Sequence, residues 1–121
     1  MFDILIKSGL VLDGAGNPGL YLSVAVKNDT IYLLRGDVSE IKARQNIDAS
    51  GKVVSPGFID VHAHSGLVIL SEPKHMPKVH QGVTTELIGI DGNSYAPFYD
   101  DLDLKRMIQI NSGLDGDPNI D

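Results

Sequence analysis

The stretch Val53-Val54-Ser55-Pro56-Gly57-Phe58-Ile59-Asp60-Val61-His62-Ala63-His64 decides how this chain is read. A strand turns successive side chains to opposite faces, so His62 and His64 share a face, and Asp60 shares it with them. Gly57 to Val61 reads as a compact, buried strand leading into the histidines. Two imidazoles converging at the end of such a strand can grip one metal ion, because neutral imidazole is a common zinc ligand. His62 and His64 are therefore the first candidate metal ligands.

Upstream of this stretch the pattern is of short strands. Residues 2–7 alternate, and Leu10-Val11-Leu12 reads as a second short strand. Leu22 to Val26 and Ile31 to Leu34 form a hairpin pattern around Lys27-Asn28-Asp29-Thr30. Ser39 is placed to cap a short helix through Glu40 to Arg44. Ile47-Asp48-Ala49 and Val53-Val54 flank a turn at Ser50-Gly51-Lys52. Gly14-Ala15-Gly16-Asn17-Pro18-Gly19 fits the dinucleotide-binding glycine pattern literally. That pattern needs a following helix to hold pyrophosphate, and Leu20 to Val24 is strand-like, so a hairpin loop is the better reading.

Downstream the pattern changes to strand, helix, strand, helix, the order of a parallel α/β unit. Prolines at 73 and 77 restrict residues 67–81 to short helical pieces, the last ending at Gly82. Val83 to Ile90 reads as the next strand. Leu104, Met107 and Ile108 share a helical face, with Asp100 or Asp101 as cap and Gly113 as stop. Residues 114–121 carry no clear pattern.

Composition excludes several functions. Sixteen acidic against ten basic residues, with no basic cluster, argue against a nucleic-acid partner. The absence of cysteine excludes disulfides and thiolate chemistry. No apolar run approaches the roughly 20 residues of a membrane span. The N-terminus lacks a signal-peptide pattern, so a cytoplasmic protein is expected.

With Ser55-Pro56-Gly57 and Asp60 before the histidines, the stretch resembles the amidohydrolase superfamily, metal-dependent hydrolases built on a TIM barrel. Gln81-Gly82-Val83-Thr84-Thr85, then Gly89, Gly92, Ser94, Ala96 and Pro97, are similar to the N-acyl-D-amino-acid deacylases, or D-aminoacylases. The resemblance implies a mixed α/β fold. Residues 1–54 would be part of a small β-sandwich, and residues 55–121 the first units of a (β/α)8 barrel incomplete in this chain. A closed barrel needs about 200–250 residues, against 121 here. The remainder would come from a longer or a second polypeptide, or the activity has been lost.

The resemblance also implies a zinc-type cofactor, one or two divalent metal ions, and hydrolysis of a small-molecule amide by metal-activated water. Position 91 departs from the family's metal-binding cysteine, and Asp91 takes its place as a third candidate ligand. A turn residue before Gly92 is the plainer alternative for Asp91. Carboxylate can replace thiolate on zinc but suits more metals. Asp60 is expected to organise hydrogen bonds around the site rather than ligate. His75 and His80 match no family ligand and read as exposed or structural. Tyr95 is open between substrate contact and packing. The family's general acid–base aspartate is expected outside this chain, so the chain alone is expected to be inactive. Two alternatives stay open: a cyclic-amide hydrolase of the hydantoinase or dihydroorotase kind, and a non-catalytic interaction or homo-oligomerisation module whose strand edges pair with another chain.

Overall fold

The computed structural model describes residues 1–118. Its contacts divide the chain into two compact units, Met1–Pro56 and a second beginning at Gly57. The whole is mixed α/β.

The first unit is a five-stranded sheet. β1 (Phe2–Val11) lies at its centre, antiparallel to β2 (Leu20–Lys27), which pairs with β3 (Thr30–Leu34). On the other side β1 pairs in parallel with β4 (Ala43–Asp48) along its first half and with β5 (Val53–Val54) along its second. Leu5 and Ala25, directly opposed in register, are fully buried, and Val24 and Ala49 join them in the core. The β2–β3 hairpin forms where the sequence places it, with Asn28 left-handed at φ 51° in the turn. The glycine-rich segment is a loop between antiparallel β1 and β2. It is fastened by Asp13, which accepts hydrogen bonds from the Ala15 amide and the Asn17 side chain.

Two expectations fail in this unit. Residues 2–7 and 10–12 are not separate strands: β1 runs through an irregularity at Ser8, whose φ is 61°. Gly9 makes this possible, because a Cβ there would stand 2.6 Å from Val54 Cγ2. Nor is there a helix over 40–44. Ser39 is held by Asp37 through its amide and hydroxyl, and Ala43 onward joins β1 as a strand. Long-range ladder hydrogen bonds override a weak local helix preference.

The second unit starts with β6 (Phe58–Asp60), paired in parallel with β7 (Val83–Glu86). Parallel neighbours need a crossover, and two single-turn helices supply it: α1 (Val68–Ser71) and α2 (Met76–Val79). Pro77 sits in the first turn of α2, where its missing N–H costs nothing. Gly82, at φ 82°, ends the turn with its N–H on Val79 O. α3 (Asp101–Asp115) is capped by Asp100, whose carboxylate accepts the Asp103 N–H at 2.9 Å. Leu104, Met107 and Ile108 lie on its half-buried side, as their spacing predicts.

Three corrections apply here. The strand expected to be buried over 57–61 is short, and Phe58, Ile59 and Val61 are each more than 60% exposed. Burying both faces of a parallel strand needs a layer on each side, and among the described residues β6 has β7 alone as strand partner. The strand expected over 83–90 stops at Glu86, because left-handed Gly89 turns the chain. The helix passes through Gly113 and ends at Gly116, so residues 114 and 115 are helical rather than irregular. A glycine inside a helix costs only about 1 kcal/mol, too little to stop a capped helix. The part of the unpatterned tail at 119–121 lies outside the described residues.

Candidate metal centre

His62 and His64 follow directly on β6. The Leu87 N–H donates to Asp60 O, and the Ala63 N–H donates to Leu87 O. The strand pairing thus extends past the last regular residues and fixes the backbone under both histidines. Their rings lie 5.3 Å apart, centroid to centroid, inclined at 59°. His62 Nε2 is 3.0 Å and His64 Nε2 3.5 Å from the same oxygen, Asp91 Oδ2.

Asp91 reaches them from a 3-10 turn, Ile90–Gly92, with left-handed backbone at φ 55°, ψ 24°. Left-handed Gly89 and Gly92 flank it. Aspartate is among the few residues that accept this conformation at small cost, so the turn can carry a ligand where glycine would otherwise be needed.

All three ligand atoms lie within 4.8 Å of one another. Two ligand atoms about 2.0–2.1 Å from one zinc ion, at the tetrahedral angle, stand about 3.3 Å apart. The contacts of 3.0 and 3.5 Å bracket that spacing, and two imidazoles with a carboxylate are an ordinary zinc donor set. The group is therefore able to hold a divalent metal. His62 and Asp91 are largely exposed and His64 is half-buried, so one side of the group is open.

Asp60 does not join them. Its Oδ1 accepts the His62 N–H at 3.1 Å, and its Oδ2 accepts from Lys78 Nζ at 2.5 Å. These two donors, Lys78 first, hold the Asp60 carboxyl below the usual aspartate range. Lys78 Nζ is also 2.9 Å from Glu86 Oε1, and bonds to Asp60 and Glu86 raise the pKa of its ammonium. Burial pushes the Glu86 carboxyl up, but hydrogen bonds from Ser65, Lys78 and His75 outweigh it and leave the pKa lowered.

His75 lies 3.2 Å from Glu86 Oε2 and 3.1 Å from Ser65 Oγ, both measured to Nε2. One nitrogen cannot relay a proton between a serine and a carboxylate, so this is no catalytic triad. His75 is structural and His80 is exposed, as read from the sequence. A cavity of about 500 Å³ lies beside this network, lined by Ser65, His75, Lys78, Thr84 and Glu86 among others. None of His62, His64 or Asp91 lines it, and in its wall His75 and Lys78 are both drawn to Glu86.

Tyr95 ties its loop to a helix. Its hydroxyl donates to Asp115 Oδ2 at 2.5 Å, joining the loop to α3. Burial, then the Asp115 carboxylate, pushes its pKa up to about 12. The Lys78–Glu86–His75 network escaped sequence reading. Its one linear trace is the spacing of His75 and Lys78, three apart on a single turn facing one carboxylate.

A parallel βαβ step carrying a histidine pair and a carboxylate at strand ends defines a metal-site α/β protein. The chain belongs to the amidohydrolase family, whose sequence profile matches residues 45–115. It is 42% identical over 96 residues to a D-aminoacylase from Alcaligenes xylosoxydans xylosoxydans, covering 79% of this chain and 20% of that protein. It superposes with a TM-score of 0.73 and 44% identity on a D-aminoacylase with a binuclear metal centre, covering 83% of this chain and 21% of the other. The N-acyl-D-glutamate deacylase of Bordetella bronchiseptica, complexed with zinc and a phosphonate mimic of the tetrahedral intermediate, superposes with a TM-score of 0.73. It is 39% identical, over 79% of this chain and 20% of its own. The chain thus spans about a fifth of the length of the relatives it matches.

Proposed function

We propose that this chain supplies the opening part of a metal-dependent amidohydrolase that cleaves the linear amide of an N-acyl-D-amino acid. His62, His64 and Asp91 hold the cation, and zinc is the expected ion. The observation that carries the reading is the meeting of both imidazoles on one oxygen of Asp91. Likeness to a zinc-bound deacylase and to a D-aminoacylase with two metals supports it.

In this reading residues 1–54 belong to a small β-sandwich, and β6, α1–α2, β7 and α3 are the first units of a (β/α)8 barrel. The strand ends of such a barrel form its active face, and His62 and His64 lie just beyond β6 and Asp91 just beyond β7. A bound divalent cation polarises an amide carbonyl and acidifies water at neutral pH. The chain's own residues fix the cation's position, and Asp60 orients the backbone of the first ligand. Proton transfer to the leaving amine needs a further acid outside the three ligands. Further barrel strands supply it, and these 121 residues alone turn over no amide.

Metal analysis of the purified chain tests the reading. One equivalent of zinc, lost in His62→Ala and His64→Ala, is the expected result. Failure to retain zinc at equimolar concentration would overturn it and favour a non-catalytic module. On the assembled enzyme, turnover of hydantoins but not of N-acyl-D-amino acids would overturn the substrate class.

A further inference from the structure

We infer that Lys78 is a positioning residue for the histidine pair, acting through Asp60. Its zinc consequence rests on the metal reading above; its geometry stands independently.

Asp60 and Glu86 are register partners on β6 and β7, and one ammonium reaches both carboxylates. Adjacent strands lie about 4.8 Å apart, so two carboxylates opposed in this way repel. Lys78 Nζ sits between them, 2.5 Å from Asp60 Oδ2 and 2.9 Å from Glu86 Oε1. The two oxygens of Asp60 then do separate work. Oδ2 is held by the ammonium, and that leaves Oδ1 aimed at the His62 N–H, 3.1 Å away. The ring of the same His62 meets Asp91. The path from Lys78 to His62 is therefore two contacts long, an ion pair and a hydrogen bond.

The helix bearing Lys78 is itself fixed on the same carboxylate. His75, immediately before α2, lies 3.2 Å from Glu86 Oε2. α2 is one turn long with Pro77 inside it, so it presents His75 and Lys78 together to one acid. Removing the ammonium leaves Asp60 opposite Glu86 without the charge that bridges them. Asp60 then has reason to rotate away from its partner and to release the His62 amide. A bystander cation predicts the opposite sign, since deleting a positive charge near a cation site tightens metal binding.

Lys78→Met and Lys78→Arg in the full chain test this. In the metal-free protein, hydrogen exchange at the His62 amide is expected to quicken about five- to tenfold in Lys78→Met and to recover in Lys78→Arg. The Met107 amide in α3 serves as control. With zinc, calorimetric affinity is expected to fall about 10- to 100-fold in Lys78→Met. Asp60→Asn, which keeps shape and removes the ion pair, is expected to reproduce both effects. Equal quickening at His62 and Met107, unchanged His62 exchange, or tighter zinc binding in Lys78→Met would each overturn the inference. If the native chain takes up no zinc, the metal reading falls while the exchange result still decides the role of Lys78.

Discussion

His62 and His64, their rings inclined at 59°, both bring Nε2 to one oxygen, Asp91 Oδ2, at 3.0 and 3.5 Å. Alternation along a strand puts two residues on one face, but it does not make them converge. Convergence comes from the left-handed turn at Asp91, which brings a carboxylate oxygen to the point where the two nitrogens meet. Asp91 is thus the residue whose replacement is most informative. Asp91→Ala is expected to weaken zinc binding by at least about 100-fold, more than the loss of a supporting hydrogen bond costs. Asp91→Cys is expected to keep the metal and to show sulfur-to-metal charge transfer when loaded with cobalt. Its left-handed backbone adds about 1–2 kcal/mol of destabilisation. Calorimetry and absorption spectra check both.

Gly57 admits no side chain. A Cβ there would stand 2.2 Å from Thr84 Oγ1 and 2.3 Å from Thr84 Cγ2, at the register irregularity between β6 and β7. Gly57→Ala is expected to lower stability by about 1–3 kcal/mol, as overpacking does elsewhere. It is also expected to loosen the strand that carries the histidines. Urea unfolding measures the first effect, and zinc affinity the second.

Glu86 sets an acid limit. Its carboxyl is depressed in the folded chain despite burial, because Ser65, Lys78 and His75 bond to the ionised form. The stability it contributes is therefore present above the unfolded glutamate pKa of about 4.3 and is lost as pH falls through the lower folded value. The urea midpoint is expected to drop below about pH 4.3, and Glu86→Gln to flatten that slope. A profile unchanged by the substitution would show that Glu86 is not the group responsible.

Tyr95 sets an alkaline one. Its phenol titrates at about 12, so its contribution is complete below the ordinary tyrosine pKa of about 10 and is lost as pH rises toward the folded value. An ultraviolet titration is expected to show one late phenolate step near pH 12, absent in Tyr95→Phe.

The histidine pair at the end of a strand was legible because its information is local, whereas Asp91 entered only through the family resemblance. His62 and His64 are two apart, and Asp91 before Gly92 is a pair that reads as a turn. The hairpin at Asn28, and a helix cap at Asp100 or Asp101, were legible for the same reason, and the structure selects Asp100. What local pattern could not show is who stands opposite whom. Ser39 looked like a helix cap until Asp37 and the ladder to β1 claimed that segment. Nothing beside Lys78 in the sequence marks it out; the pairing of Asp60 with Glu86 sets two acids on either side of it. The sequence by itself determined the candidate donor types, the strand that leads into the histidines and the family resemblance. Tertiary structure alone decided that Asp91 meets both rings and that Lys78 braces Asp60. Both relationships join residues far apart in the chain, which only strand pairing and the crossover between β6 and β7 bring within bonding distance.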